Sequence, residues 1–513
     1  MNSGTVGSTT RILCIATLVG FGGCATVDPH LDYEQSAQHV YQATGYGELY
    51  QPGDDEMVDA AVGELLADGL TLDEAVRICL LNNPSLQAGA FNVGMARADL
   101  VQSGLLSNPS LGLAFRLPAG GGLSAIDGGI AQNIADLWQI PVRKRIAGRE
   151  LDRAILELAG DAADLAARAK LAYFEAVAAG LLHESLQVNL DIAAELLLLA
   201  QRRKEAGAGT EVDVNLSRGA VVEGQLNVAE SRLAMAESRR SLATLLGLTD
   251  APGELDLLDG FPPYPTSPIQ VERLVELSRE ARLDLQAARQ AVRAADAALD
   301  EQLRLVVPFV ELGVEMERDE RGRSDGNNLL ADTARASIAG GRLTAPDIDA
   351  RSPGGRDTDY SIGPSISLEL PIFDQNQARI AKAQYARRQA RKTLEAIDRR
   401  AVLEVRGACD RAATAWELAR LYQTSAIPLA ERNLELARRA YQAGKTSFLE
   451  VLAAQRFFLQ TRGKYIELQQ TAADTIPDLE RAVGRPFQEL IATGSAAPTT
   501  DPATNKPNAG EES

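Results

Sequence analysis

Few side chains in this 513-residue chain could do covalent or metal chemistry, and those few are scattered. His30, His39 and His183 stand far apart, with no neighbouring cysteine or acid spacing of the kind that binds zinc or builds a nucleophilic triad. His183 falls inside a long helical pattern and reads as a surface or packing residue. The glycine-rich run Ala119 to Gly122 precedes no helix opening with Lys-Ser or Lys-Thr, so it reads as a hairpin loop and not as a phosphate cradle. The five methionines are not clustered and form no metal ladder. We therefore expect no enzyme and no cofactor. What remains is a matched pair of turn motifs, Glu205 to Val214 and Gln442 to Val451. Gly207 and Gly444 break long helical patterns where the chain must reverse. An acid follows each, Asp213 and Glu450, and Tyr441 precedes the second glycine. On residue type alone, both acids suit the first turn of a helix, where the dipole favours negative charge.

Paired turns imply paired halves. Asn82 to Leu86 closes one helical pattern, and Asn108 to Leu113 opens an alternating stretch. Leu283 to Leu285 and Pro308 to Gly313 take the same roles later. Leu86 to Pro109 and Leu285 to Pro308 each span 23 positions, and Gly207 to Gly247 and Gly444 to Gly484 each span 40. A repeat of this length is a duplicated half-domain. The expected order is a repeat over 71–250, a proline-rich linker over 251–268, a second repeat over 269–486 and a polar, disordered tail over 487–513.

A net charge of −18 and only 5% aromatics argue against nucleic acid as a partner and for long, solvated helices. At the N-terminus, Arg11 precedes an apolar run from Ile12 to Phe21, too short to span a bilayer, which reads as a signal peptide over 1–23. Its ending, Gly22-Gly23-Cys24, resembles a bacterial lipobox, with Phe21 where leucine is usual. Cys24 is then the acylated, palmitate-bearing first residue of a lipid-anchored segment over 24–70. Ala25 follows in place of the aspartate of inner-membrane retention, which by that resemblance implies the outer membrane. Cys79 and Cys409 fall in helices of different repeats and read as free buried thiols. No other segment could form a transmembrane helix, so any spanning falls to strands.

Four stretches alternate with period two. Leu111, Leu113 and Phe115 share a face, as do Val310, Leu312, Val314 and Met316, opposite Glu311, Glu315 and Glu317. Ile366, Leu368 and Leu370 form a third, and Ile130 to Trp138 is the weakest. A face carrying three glutamates suits a water-filled lumen, with lipid on the other side. We expect a hairpin over about 107–138, strands over about 308–318 and 360–372, and an external loop over 319–359. Four strands cannot close a barrel, and open edges in lipid are costly, so a spanning chain must oligomerise. Long helices are expected over about 146–206 and 380–443, the first about 90 Å long, with tips over 207–212 and 444–449. Pro141 to Gly207 spans 66 positions and Pro371 to Gly444 spans 73. A difference of one heptad would keep the apolar seam in phase.

With these motifs in place, the chain resembles the TolC-type outer-membrane efflux duct family, in particular its lipid-anchored members serving resistance–nodulation–division pumps. The resemblance covers about Thr71 to Gly484. It rests on the two Asn-Pro-Ser-Leu-like helix ends, the exit Leu370-Pro371-Ile372-Phe373 and the two tip motifs. It implies a mostly α fold with a small membrane β part: long antiparallel helices forming an α-barrel, plus four strands per chain in a trimeric 12-stranded β-barrel. It further implies a homotrimer in outer-membrane lipid, reaching into the periplasm to meet an adaptor protein and an inner-membrane pump. At the periplasmic mouth it implies that Tyr441 hydrogen-bonds Asp213 and that Glu450 forms an inward acidic ring. The family often has an arginine latch where Thr446 stands here, beside Lys445. Two alternatives remain: a type I secretion duct, and a non-transporting periplasmic coiled-coil lipoprotein acting as adaptor or scaffold, which would have no use for the acidic strands.

Overall fold

The computed structural model describes residues 25–117, 124–249, 255–265, 269–306, 309–322, 329–343, 345 and 356–495. Cys24, the loop Ala119 to Gly122 and the last 18 residues lie outside them. Two compact units are present, one of residues 1–99, 148–293 and 388–513, the other of residues 100–147 and 294–387.

The smaller unit holds an antiparallel four-stranded sheet in sequence order: β1 (Ser110–Arg116), β2 (Ala125–Asn133), β3 (Val310–Gly322) and β4 (Arg356–Leu368). Its register sorts the side chains. Leu113 pairs with Gly128, Ile130 with Val314, Leu312 with Ile366 and Met316 with Ile362, which puts Leu111, Leu113, Phe115, Ile126, Ile130, Leu312, Val314, Met316, Ile362 and Ile366 on one face. Asp127, Glu311, Glu315 and Glu317 lie on the other, beside Ser361, Ser365 and Ser367. On the polar face Arg116 pairs with Asp127 and approaches Glu317 at 3.9 Å. Apart from half-buried Ile126 the apolar residues are exposed, Leu113 at 62% and Ile366 at 72%, the reverse of a soluble sheet.

The weakest expected strand is displaced. It occupies Ala125–Asn133, and Trp138 lies in the helix that follows. Gly128 and Gly129 interrupt the alternation that would have marked it. Asn133 ends the strand by accepting the Ala135 N–H at 2.9 Å. The expected external loop is shorter than 319–359, because β3 and β4 stay paired as far as Gly322 and Arg356 and a helix, Leu329–Gly340, stands between them.

The larger unit is helical. In chain order the helices are α1 (His30–Thr44), α2 (Asp55–Leu65), α3 (Leu72–Asn82), α4 (Pro84–Ser103), α5 (Asp136–Glu205), α6 (Glu211–Leu245), α7 (Val271–Ala281), α8 (Leu283–Arg304), α9 (Leu329–Gly340), α10 (Gln377–Leu421), α11 (Ile427–Gln442), α12 (Phe448–Val483) and α13 (Phe487–Ser495). A π turn, Tyr422–Ala426, joins α10 to α11, just ahead of Pro428. Pro428 has no N–H to give the carbonyl four residues back. Helix α9 belongs to the smaller unit, and α4, α5, α8 and α10 contribute residues to both.

The duplication is visible in how the helices end. Asn83 caps α4, its Oδ1 accepting the Ser85 and Leu86 N–H groups at 3.0 and 3.3 Å. Its Nδ2 donates to the Leu245 carbonyl at the end of α6 (2.8 Å), and Asn82 donates to Leu246 (2.9 Å). In the second repeat Arg282, between α7 and α8, donates to the Ala482 carbonyl at the end of α12 (3.1 Å). In each half, a polar side chain from the break between two short helices satisfies carbonyls that a helix C-terminus leaves open. Helix α5 runs beside α12, tied by Lys170–Glu480 (2.7 Å) and by Gln455 donating to Asn189 Oδ1 (3.0 Å). It also runs beside α6, where Gly224 lets Leu190 approach and Ser231 meets His183 at 2.9 Å. Cys79 and Cys409 are free and buried, and burial pushes their thiols up to about 12 and about 11.

Three expectations are corrected here. Helix α5 begins at Asp136, with Pro141 inside it, and not near residue 146. After Pro371 the chain stays irregular until Gln377, so the seven extra residues are largely spent before α10 and the heptad-phase argument fails. The tail does not begin at 487: Phe487 packs on Trp416 and Leu490 is 5% exposed, which holds α13 against α10.

Half-buried Asp474 on α12 has a carboxylate oxygen without a hydrogen-bond partner. Burial first, then the charges of Asp478 and Glu175, push its carboxyl up to about 7. Such a group binds its proton more tightly folded than unfolded, so its contribution to stability falls as pH rises from the unfolded carboxyl range through 7. Asp474→Asn is expected to raise the melting temperature of the purified protein at pH 8, with the gain shrinking towards pH 4. The same gain at both pH values would show that Asp474 does not titrate in this range.

Candidate functional site

The two tips are copies of one turn. Gly207 (φ 72°) and Gly444 (φ 71°) sit in the left-handed region. The Ala208 N–H reaches back to the Arg203 carbonyl (2.8 Å) as that of Lys445 does to Ala440 (2.9 Å), closing the last turns of α5 and α11. Gly209 also needs its missing side chain, since a Cβ there would lie 2.9 Å from the Lys204 nitrogen.

The next helices start differently. Thr210 and Asp213 form a reciprocal cap on α6: the Asp213 N–H donates to Thr210 Oγ1 (3.1 Å) and the Thr210 N–H to Asp213 Oδ2 (3.2 Å). Ser447 and Glu450 hold the same positions on α12, but Ser447 makes no side-chain cap bond. The exposed Glu450 carboxylate takes its hydrogen bond from the Thr446 hydroxyl instead. The first acid is therefore committed to its helix, whereas the second is free of that duty.

Tyr441 is 2% exposed, packed with Leu196, Phe448, Val451 and Leu452. Phe448 meets it edge-on, ring centroids 5.6 Å apart. The expected hydrogen bond to Asp213 is not formed, and the Tyr441 hydroxyl has no partner. Asp213 is engaged in the cap, though burial and its charge raise the Tyr441 pKa. Tyr441 works through its ring and its main chain. The Arg203 guanidinium lies over that ring at 4.5 Å from the centroid, donates to the Tyr441 carbonyl, and donates to the Ala208 carbonyl at 3.0 Å. Beside it, Lys204 pairs with Glu211.

Arg203 and Phe448 were not among the residues singled out in the sequence. A basic residue in the last turn of α5 is what a helix C-terminus favours, and that was the available signal. Its equivalent in the second repeat is Ala440, so the duplication gave no hint. Among the described residues no three His, Cys, Asp or Glu side chains gather as a metal site, and no helix is long and apolar enough to cross a membrane.

Residues 274–485 match the outer membrane efflux protein family. The chain is 24% identical over 431 residues to the cobalt-zinc-cadmium resistance protein CzcC of Cupriavidus metallidurans, covering 82% of this chain and 91% of the relative. It is 24% identical over 455 residues to the pyoverdine export outer membrane protein OpmQ of Pseudomonas putida, covering 81% and 86%. Its fold is similar to that of the crystallised channel protein CusC, with a TM-score of 0.62 at 16% identity over 80% of this chain and 91% of that one. The second repeat thus carries the match to the outer membrane efflux protein family, and the chain over most of its length is similar in sequence and fold to outer-membrane efflux channels of the TolC type.

Proposed function

We propose that this protein is the passive exit duct of a tripartite efflux system, assembled from three copies, docked by a periplasmic adaptor, fed by an inner-membrane pump and gated at the helix tips. The observation that carries the assembly is the sheet. One face is apolar and exposed, the other carries Asp127, Glu311, Glu315 and Glu317, and β1 and β4 leave its two edges unpaired. Unpaired backbone groups in lipid cost several kcal/mol each, and twelve strands from three chains would leave none. A periplasmic scaffold would have no use for such a sheet. The names of the two relatives attach one to metal ions and the other to pyoverdine, cargoes of unlike chemistry. That supports a duct which passes what its pump delivers.

Glu450 is the proposed inward acidic ring, freed from capping as described, and Gly207, Gly444, Asp213 and Tyr441 shape the mouth around it. Rings of acids in a narrow pore select cations and hold divalent ions. Purified full-length protein should form heat-resistant trimers and conduct in planar bilayers with cation preference and block by divalent ions. Glu450→Gln is expected to reduce both the preference and the block while leaving the trimer intact. Unchanged selectivity and block would remove Glu450 from the gate, and absence of any conductance would remove the duct.

A further inference from the structure

We infer that Arg203 is the residue that fastens the closed tip, tying the second helical hairpin to the first within each protomer. This rests on the proposal that the tips are the gate. The link an arginine at position 446 would supply is missing, because Thr446 stands there with its hydroxyl engaged by Glu450. A bond from the Tyr441 hydroxyl is missing too. Arg203 makes contacts with both turns at once. It belongs to α5 in the first repeat, bonds the Ala208 carbonyl of its own turn, and reaches across to α11 for the Tyr441 carbonyl and the face of the Tyr441 ring.

The chemistry suits the place. Helices α5 and α11 both end here, at Glu205 and Gln442, so two sets of open carbonyls and two negative dipole ends gather around one guanidinium. Its planar fork bonds two carbonyls while its face stacks on the ring, a combination a lysine ammonium cannot reproduce. The Gly444 turn lies against it, a Cβ there falling 3.7 Å from Arg203 Nη2. Moving the end of α11 away from α5 breaks the ring contact and the carbonyl bond together, so the fastener releases as a unit. The hydroxyl of Tyr441 takes no part.

The test uses the full-length protein with Cys14 and Cys24 changed to serine and spin labels on two exposed tip positions, Glu205→Cys and Lys445→Cys, Cys79 and Cys409 being buried. Inter-label distance within a protomer is read beside resting bilayer conductance. Arg203→Ala is expected to lengthen the distance and raise resting conductance at least about tenfold, the loss of charge-assisted bonds repeated in three subunits. Arg203→Lys should fall between. A wild-type distance in both Arg203 variants, with the protein trimeric, overturns the fastener. A longer distance with unchanged conductance keeps the fastener and overturns the placement of the gate at the tips. Opening by Tyr441→Phe would return the role to the hydroxyl and likewise overturn the inference.

Discussion

Gly247→Ala is expected to destabilise the larger unit by about 3 kcal/mol or more, adding steric overlap to a left-handed backbone that alone costs an alanine about 1–2 kcal/mol. At φ 72°, an added Cβ would fall 2.3 Å from the Asn82 carbonyl oxygen and 3.1 Å from the Asn82 side-chain nitrogen. Neither side can retreat cheaply. Asn82 and Asn83 hold the Leu246 and Leu245 carbonyls at 2.9 and 2.8 Å, so moving the break between α3 and α4 uncaps the end of α6. Gly207 supplies the control: its φ is also 72°, yet nothing lies within 4 Å of the position a Cβ would take. Gly207→Ala should therefore show the backbone strain alone. Thermal melting of the detergent-purified proteins compares the two, and equal losses would show that the contact with Asn82 carries no weight.

The second large effect is expected at Lys170 and Glu480, whose side chains are 8% and 11% exposed and 2.7 Å apart. Removing one partner of a buried pair leaves the other charge without compensation, typically at a cost of about 3–5 kcal/mol. Lys170→Met strands the Glu480 carboxylate with only the Phe487 N–H (3.0 Å) to answer it, and also empties the place over the Tyr46 ring, 5.4 Å from the ammonium. The double change Lys170→Met, Glu480→Leu should recover most of that loss, because an apolar pair of similar volume needs no desolvation. Denaturant midpoints of the two single variants and the double form a cycle. A double variant as unstable as the sum of the singles would mean that the two side chains act independently and that the pair is not a unit.

Much of this architecture can be read along the chain because it was written twice. Matching intervals between Leu86 and Pro109, Leu285 and Pro308, and the four glycines reveal equivalent helix ends before any contact is known. The acidic face of β3 is legible because Glu311, Glu315 and Glu317, with Gly313 among them, alternate with Leu312, Val314 and Met316. Strand β2 is harder to see, since its Gly128 and Gly129 contribute no side chain to either face. The start of α5 is obscured by Pro141, which marks a boundary in most helices but is accommodated inside this one. Helix α13 depends on Trp416, some seventy residues away, and no local pattern announces that contact. The tip shows both limits. Asp213 is fully legible as a cap, and its engagement with Thr210 is why Tyr441 goes without it. Arg203 is invisible because its partners lie across the fold and its counterpart, Ala440, has no charge to compare.

Among the tip residues, the asymmetry of the two helix starts bears on how freely each acid can change. A duplication hands a protein two of every device, and one copy can keep the old duty while the other drifts. Asp213 is the copy that caps: the threonine–aspartate box holds α6. Glu450 stands in the same position, yet α12 starts without a side-chain cap, forgoing about 1 kcal/mol of helix stability. A helix start that tolerates that loss is one whose acid can be replaced without unravelling the hairpin. The second copy is thus the evolvable one, where a change of charge would leave the helix start and the wall standing.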